Sequence, residues 1–75
     1  MGHHVKIQQL PGIGTRYDLA AGKVPQHVSV VVHKDGHREI YAFETSASEP
    51  TSVIELSAEQ ARLLGAVLNG SYVVD

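Results

Sequence analysis

The sequence predicts an α+β domain: a small twisted, mostly antiparallel sheet of four to five strands with one C-terminal helix packed on it. Three observations carry this. Short β-rich runs recur between glycine- and proline-containing turns, one pair of runs flanks an Asp-Gly dipeptide, and a helical repeat preceded by a capping signature appears only near the end. The chain has 75 residues, so it has room for one domain; a chain this short buries only about 60% of the surface its unfolded form exposes. With no cysteine, neither a disulfide framework nor a thiolate metal site is available, which points to a homo-oligomer or to support from a neighbouring domain.

Residues 1–4 read as a disordered start or a tag remnant, and the domain as residues 5–70. Val5, Ile7 and Leu10 among Lys6, Gln8 and Gln9 predict a half-buried strand, stopped at Pro11-Gly12. Pro11 lacks a ladder donor, and Gly12 and Gly14 tolerate positive φ, so 11–14 is a tight turn before a second extended run, Thr15 to Leu19. A turn follows at 20–22. The run Val28-Ser-Val-Val-Val-His-Lys34, then Asp35-Gly36, then His37-Arg-Glu-Ile-Tyr-Ala-Phe-Glu44 predicts a hairpin with a two-residue turn. That turn sets Val32 opposite Glu39, Val30 opposite Tyr41 and Val28 opposite Phe43, with Val31 meeting Ile40 on the other face. Apolar residues then stand on both faces, and the second face would need a cover.

A polar connection over 46–52 leads to a short strand at Val53, Ile54 and Leu56. Ser57 and Gln60 have capping-box spacing, Ala61, Leu64, Gly65 and Leu68 repeat along one helix face, and Asn69-Gly70 ends the helix. That helix is expected to lie on the sheet and supply most of the core. Residues 71–75 read as a C-terminal extension, either a last strand or a lead into a further domain.

Six Lys and Arg against eight Asp and Glu give a net charge of -2, with the cations scattered singly, which argues against a nucleic-acid partner. No apolar run is long enough to span a bilayer and no signal-peptide core opens the chain, so the expectation is a cytoplasmic domain. Five histidines are many for this length. His27, His33 and His37 raise metal or small-ligand binding as an alternative, but His33 and His37 straddle the turn out of direct register and no third ligand is evident. Rim histidines without a metal are the favoured reading, with a pH response of His33 and His37 as another. Gly12-x-Gly14 lacks the strand-loop-helix context of a phosphate loop, and none of the serines sits in a nucleophile elbow. The reading is therefore a non-enzyme with no cofactor. Arg16, Tyr17 and Asp18 form either a charge-protected edge strand or a docking surface anchored by Arg16 and Tyr17.

Three blocks stand in order: Leu10-Pro-Gly-Ile-Gly-Thr-Arg-Tyr-Asp-Leu19, His33-Lys-Asp-Gly-His-Arg-Glu-Ile-Tyr41 and Leu56-Ser-Ala-Glu-Gln-Ala-Arg-Leu-Leu-Gly65. Together they resemble the N-terminal domain of regulatory subunits of bacterial potassium/proton antiporters, the KhtT-like group. The resemblance covers most of Ile7 to Leu68. It implies a regulatory module on the cytoplasmic side of the inner membrane, held peripherally by contact with a membrane cation/proton antiporter. In that group a TrkA-C-type domain that binds a regulatory nucleotide follows; no residues here correspond to it. At the matching positions, Pro11, Gly12, Gly14, Asp35 and Gly36 are expected to shape turns, and Arg16, Tyr17, Arg38 and Glu39 to make the contacts.

Overall fold

The computed structural model describes residues 5–20, 26–44 and 48–74. Five strands follow one another, β1 (Val5–Leu10), β2 (Gly14–Ala20), β3 (His27–His33), β4 (Arg38–Phe43) and β5 (Ser52–Leu56), and one helix, α1 (Ala58–Leu68), ends the fold. The strands pair in sequence order, all antiparallel, as a five-stranded meander. The expected α+β architecture is present. The start at 1–4, the turn beyond Ala20, residues 45–47 of the polar connection and residue 75 lie outside the described residues.

The first turn follows directly from its residues. Ile13 N–H donates to the Leu10 carbonyl at 2.9 Å, and Gly12 has φ +80°, so Pro11 and Gly12 occupy the central positions of a type II turn, where proline fixes the first φ and glycine supplies the positive one. Gly14 answers a different demand. A Cβ there would lie 1.9 Å from the Val32 carbonyl oxygen, so β2 reaches β3 only through a residue without a side chain.

The hairpin forms where expected, but its register differs by one residue. His33 N–H donates to the His37 carbonyl and Gly36 N–H to the His33 carbonyl, enclosing a three-residue loop, Lys34-Asp35-Gly36, with Gly36 at φ +103°. Such a loop needs its positive φ at one position, and glycine takes it; the Asp35 carboxylate further fixes the loop by accepting from His37 N–H at 3.0 Å. Val32 therefore pairs with Arg38, Val31 with Glu39, Val30 with Ile40 and Ser29 with Tyr41. Because strand side chains alternate, the slip moves the whole of β4 to the opposite face.

The result is a sorted sheet. One face carries Val5, Ile7, Tyr17, Leu19, Val28, Val30, Val32, Ile40, Ile54 and Leu56, with Arg38 its single charged side chain from the strands. The other carries Lys6, Gln8, Arg16, Asp18, Ser29, His33, Glu39, Tyr41 and Glu55, with Val31 and Phe43 among them. The expectation of apolar partners on both faces is corrected by this register.

The helix begins as its sequence dictates. Gln60 N–H donates to Ser57 Oγ at 3.1 Å and Ser57 N–H to Gln60 Oε1 at 2.9 Å, a complete capping box. It ends in a Schellman motif: Ser71 N–H bonds to the Ala66 carbonyl and Gly70 N–H to that of Val67, with Gly70 at φ +79°. Residues 71–74 form no strand. The stripe Ala61, Leu64, Gly65, Leu68 faces Val30, Val32, Ile40 and Leu56 across a cleft of about 230 Å³. However, no helix residue is buried, and the buried side chains among the described residues are Ser29 and Val31, at 1% and 7% exposure. The helix does not supply the core, because it stands beside β5 and leaves the β1–β2 half of the apolar face bare.

Candidate functional site

The polar face holds the most developed constellation. Strand pairing places Arg16, Ser29 and Asp18 on neighbouring positions of β2 and β3. Arg16 Nε donates to Asp18 Oδ1 and Arg16 Nη2 to Ser29 Oγ, each at 3.1 Å, while Ser29 Oγ–H donates to Asp18 Oδ1. Burial pushes the Asp18 carboxyl up, but the Ser29 hydroxyl and the Arg16 guanidinium together outweigh it and hold the group below its ordinary value. Ser29 is thus a closed structural hydroxyl: it is bonded to a carboxylate rather than to an imidazole base, and it is buried.

One strand further on, His33 Nε2 and Glu39 Oε1 stand 2.7 Å apart, and Tyr41 O–H donates to the same carboxylate oxygen at 2.8 Å. These two bonds, led by that to His33, lower the Glu39 carboxyl, and the bond to Glu39 raises the Tyr41 phenol. His37 stacks on His33 with ring centroids 3.9 Å apart, and its Nδ1 lies 2.5 Å from Asp35 Oδ1. The backbone and side-chain bonds from His37 hold the Asp35 carboxyl below its ordinary value. The two histidines are therefore cross-strand neighbours, contrary to the expected out-of-register placement. Glu39 stands beside them as a third potential ligand, so His33, His37 and Glu39 form a donor set able to approach one cation. His27 is separate and stacks on Phe43 at 4.4 Å.

Arg16, Ser29, Val31, His33, Glu39, Tyr41 and Phe43 floor a cavity of about 470 Å³, rimmed by Leu10, Ile13, Ser48 and Pro50. The two turns flanking it are tied together, since Lys34 N–H donates to the Ile13 carbonyl at 2.9 Å. This cavity brings a guanidinium, a carboxylate and an imidazole together with the apolar side chains of Leu10, Ile13, Val31 and Phe43, an arrangement suited to binding.

Of the four contact residues expected from sequence, the structure brings Arg16 and Glu39 to this face and sends Tyr17 and Arg38 to the other. Arg16 and Tyr17 therefore cannot anchor one docking surface together. Arg38 folds its guanidinium back onto the Gly36 carbonyl. Pro11, Gly12, Asp35 and Gly36 lie in the two tied turns, and Gly14 opens β2 directly after the first of them. Sequence reasoning grouped Asp18 with Arg16 but missed Ser29 and Tyr41 as members of the site; the available signal was the alternation of Tyr41 with Glu39 and the pairing of Ser29 with Asp18, legible only once the register is known.

No helix of the described residues is long and apolar enough to cross a membrane. Residues 3–72 match the family described as the N-terminal domain of the K(+)/H(+) antiporter subunit KhtT. The chain is 34% identical over 68 residues to the K(+)/H(+) antiporter subunit KhtT of Bacillus subtilis (strain 168), covering 89% of this chain and 41% of that protein. It is 31% identical over 67 residues to the uncharacterized protein YrvC of the same organism, covering 88% and 40%. The chain thus spans about two fifths of the length of these curated relatives. With the match running from ahead of β1 to beyond α1, the chain belongs to the family of KhtT N-terminal domains.

Proposed function

We propose that this domain is a non-catalytic regulatory module of a potassium/proton antiporter, working on the cytoplasmic side by protein contact. The observation that carries the reading is the family match across the whole described fold. The polar-face cavity supports it, since Arg16 and Glu39 offer opposite charges on a half-buried floor where partner side chains can be desolvated. The transporter, or a TrkA-C-type domain attached to it, is the partner, and its attachment to the membrane is peripheral. A module of this kind shifts transport only by binding two transport states with different affinities. Protonation of His33 and His37 changes the charge beside Glu39 and Asp35, which gives that difference a pH dependence.

The test is co-expression of the domain with the antiporter of its source organism, followed by potassium/proton exchange in everted vesicles between about pH 6 and pH 8. Exchange that changes with the domain present, and a change lost on Arg16→Ala with Glu39→Gln, is the expected result. Equal exchange with and without the domain, together with failure to co-purify, overturns the proposal. Loss of the pH difference in His33→Asn, His37→Asn is expected if these residues are the sensors.

A further inference from the structure

We propose that His33, His37 and Glu39 form a binding site for one divalent transition-metal cation of the zinc class at the closed end of the β3–β4 hairpin. The inference is independent of which transporter or partner the domain serves.

The loop makes the site. His33 N–H donates to the His37 carbonyl at 2.9 Å and Gly36 N–H to the His33 carbonyl at 3.0 Å, so the backbone on both sides of the turn is fixed. The two imidazoles then stack, 3.9 Å between centroids and 11° between planes, and Glu39, two residues beyond His37, stands on the same face of the sheet. One donor atom from each of the three lies within 4.8 Å of the others. A tetrahedral ion with bonds of about 2.0–2.1 Å holds its ligands roughly 3.3 Å apart, so each pair has about 1.5 Å or less to close. Stacked rings send their lone pairs side by side, and rotation about the side-chain bonds turns them onto one point while the loop backbone stays in place. The proton shared by His33 Nε2 and Glu39 Oε1, which stand 2.7 Å apart, leaves that position as the ion enters, moving to His33 Nδ1 or to solvent.

Two of the three ligands are already held from behind, which separates this set from a chance meeting of surface groups. His37 Nδ1 lies 2.5 Å from Asp35 Oδ1, which leaves Nε2 of that ring for the ion, and Tyr41 O–H donates to Glu39 Oε1 at 2.8 Å. A metal-bound histidine characteristically gives its other ring N–H to a carboxylate, and a ligating carboxylate is itself hydrogen-bonded. Charge is balanced as well: Glu39 and Asp35 together offset the two positive charges of the ion. Burial is intermediate, with the His33 and Glu39 side chains 21% and 20% exposed and His37 36% exposed, so the carboxylate acts through a partly desolvated medium while water can complete the coordination. Two imidazoles and one carboxylate suit zinc and its neighbours; magnesium and calcium favour all-oxygen sites. His27 takes no part, since its ring stacks on Phe43 instead.

The experiment is isothermal titration calorimetry of the 75-residue chain with zinc chloride. His3 and His4, outside the described residues, are replaced by alanine in every sample so that they contribute no ligand. One ion per chain with a Kd on the order of 10 µM is expected, and no binding of magnesium chloride at the same concentrations. His37→Ala and Glu39→Gln should each weaken zinc binding by about ten-fold or more, Asp35→Asn by about ten-fold, and His27→Ala not at all. Far-ultraviolet circular dichroism checks that each variant keeps its sheet. Nuclear magnetic resonance of the histidine rings gives a readout that requires no substitution at the site: zinc should move the His33 and His37 ring signals together, saturating at one equivalent, and leave His27 unmoved. Absence of zinc binding at ~100 µM, affinity unchanged in folded His37→Ala or Glu39→Gln, or ring signals of His33 and His37 that stay in place as zinc is added would each overturn the proposal.

Discussion

Gly14 shows how much one position can decide. Its missing Cβ is what lets β2 start against the Val32 carbonyl, so Gly14→Ala should lower unfolding free energy by about 2–4 kcal/mol, read from the urea midpoint. Gly12→Ala is the informative comparison. Nothing stands within 4 Å of a Cβ at Gly12, so only its positive φ is penalised, at about 1–2 kcal/mol. Ser29 gives a second prediction at this scale. Its hydroxyl both accepts from Arg16 and donates to Asp18 while almost wholly buried, so Ser29→Ala leaves two polar groups short of a partner and should cost about 1–3 kcal/mol.

At the scale of the element, the helix and the hairpin are governed by their ends. α1 has eleven residues and buries none of them, so it lacks the packing that holds most helices of that length. Its caps then carry an unusual share of its stability. Ser57→Ala should cost about 1 kcal/mol and reduce ellipticity at 222 nm, because it removes one half of the capping box and releases Gln60 from the other. The hairpin is held by its loop. Asp35, bonded to His37 through backbone and ring, belongs to a three-residue turn whose glycine takes the positive φ, and that loop length sets the faces of β4.

For the whole molecule, charge links stability to pH through the polar face. Asp18 and Glu39 have folded-state values below their ordinary 3.8 and 4.5. The unfolded chain therefore takes up protons first as pH falls, and the stability these groups contribute is present above those ordinary values and lost through and below them. The thermal midpoint should accordingly fall below about pH 4.5, and the slope should be shallower in Asp18→Asn, Glu39→Gln; an unchanged slope would mean that other carboxylates govern the acid limb. The same scale holds the unfinished burial. A domain whose buried side chains are one valine and one serine among the described residues leaves much of its apolar face exposed, as short chains do.

The sequence alone determined the elements and their ends. Pro11-Gly12, Asp35-Gly36, the Ser57–Gln60 box and Asn69-Gly70 are local signals whose hydrogen bonds close within a few residues, so no distant contact was needed to read them. Tertiary structure decided what these elements present. A loop of three residues rather than two reversed the faces of β4, joined Glu39 to His33 and His37, added Tyr41 to that cluster, and parted Arg16 from Tyr17 in role. The physical reason is that strand side chains repeat every two residues, so a single-residue change in pairing, nearly silent in the sequence pattern of a hairpin apolar on both sides, exchanges one surface for the other.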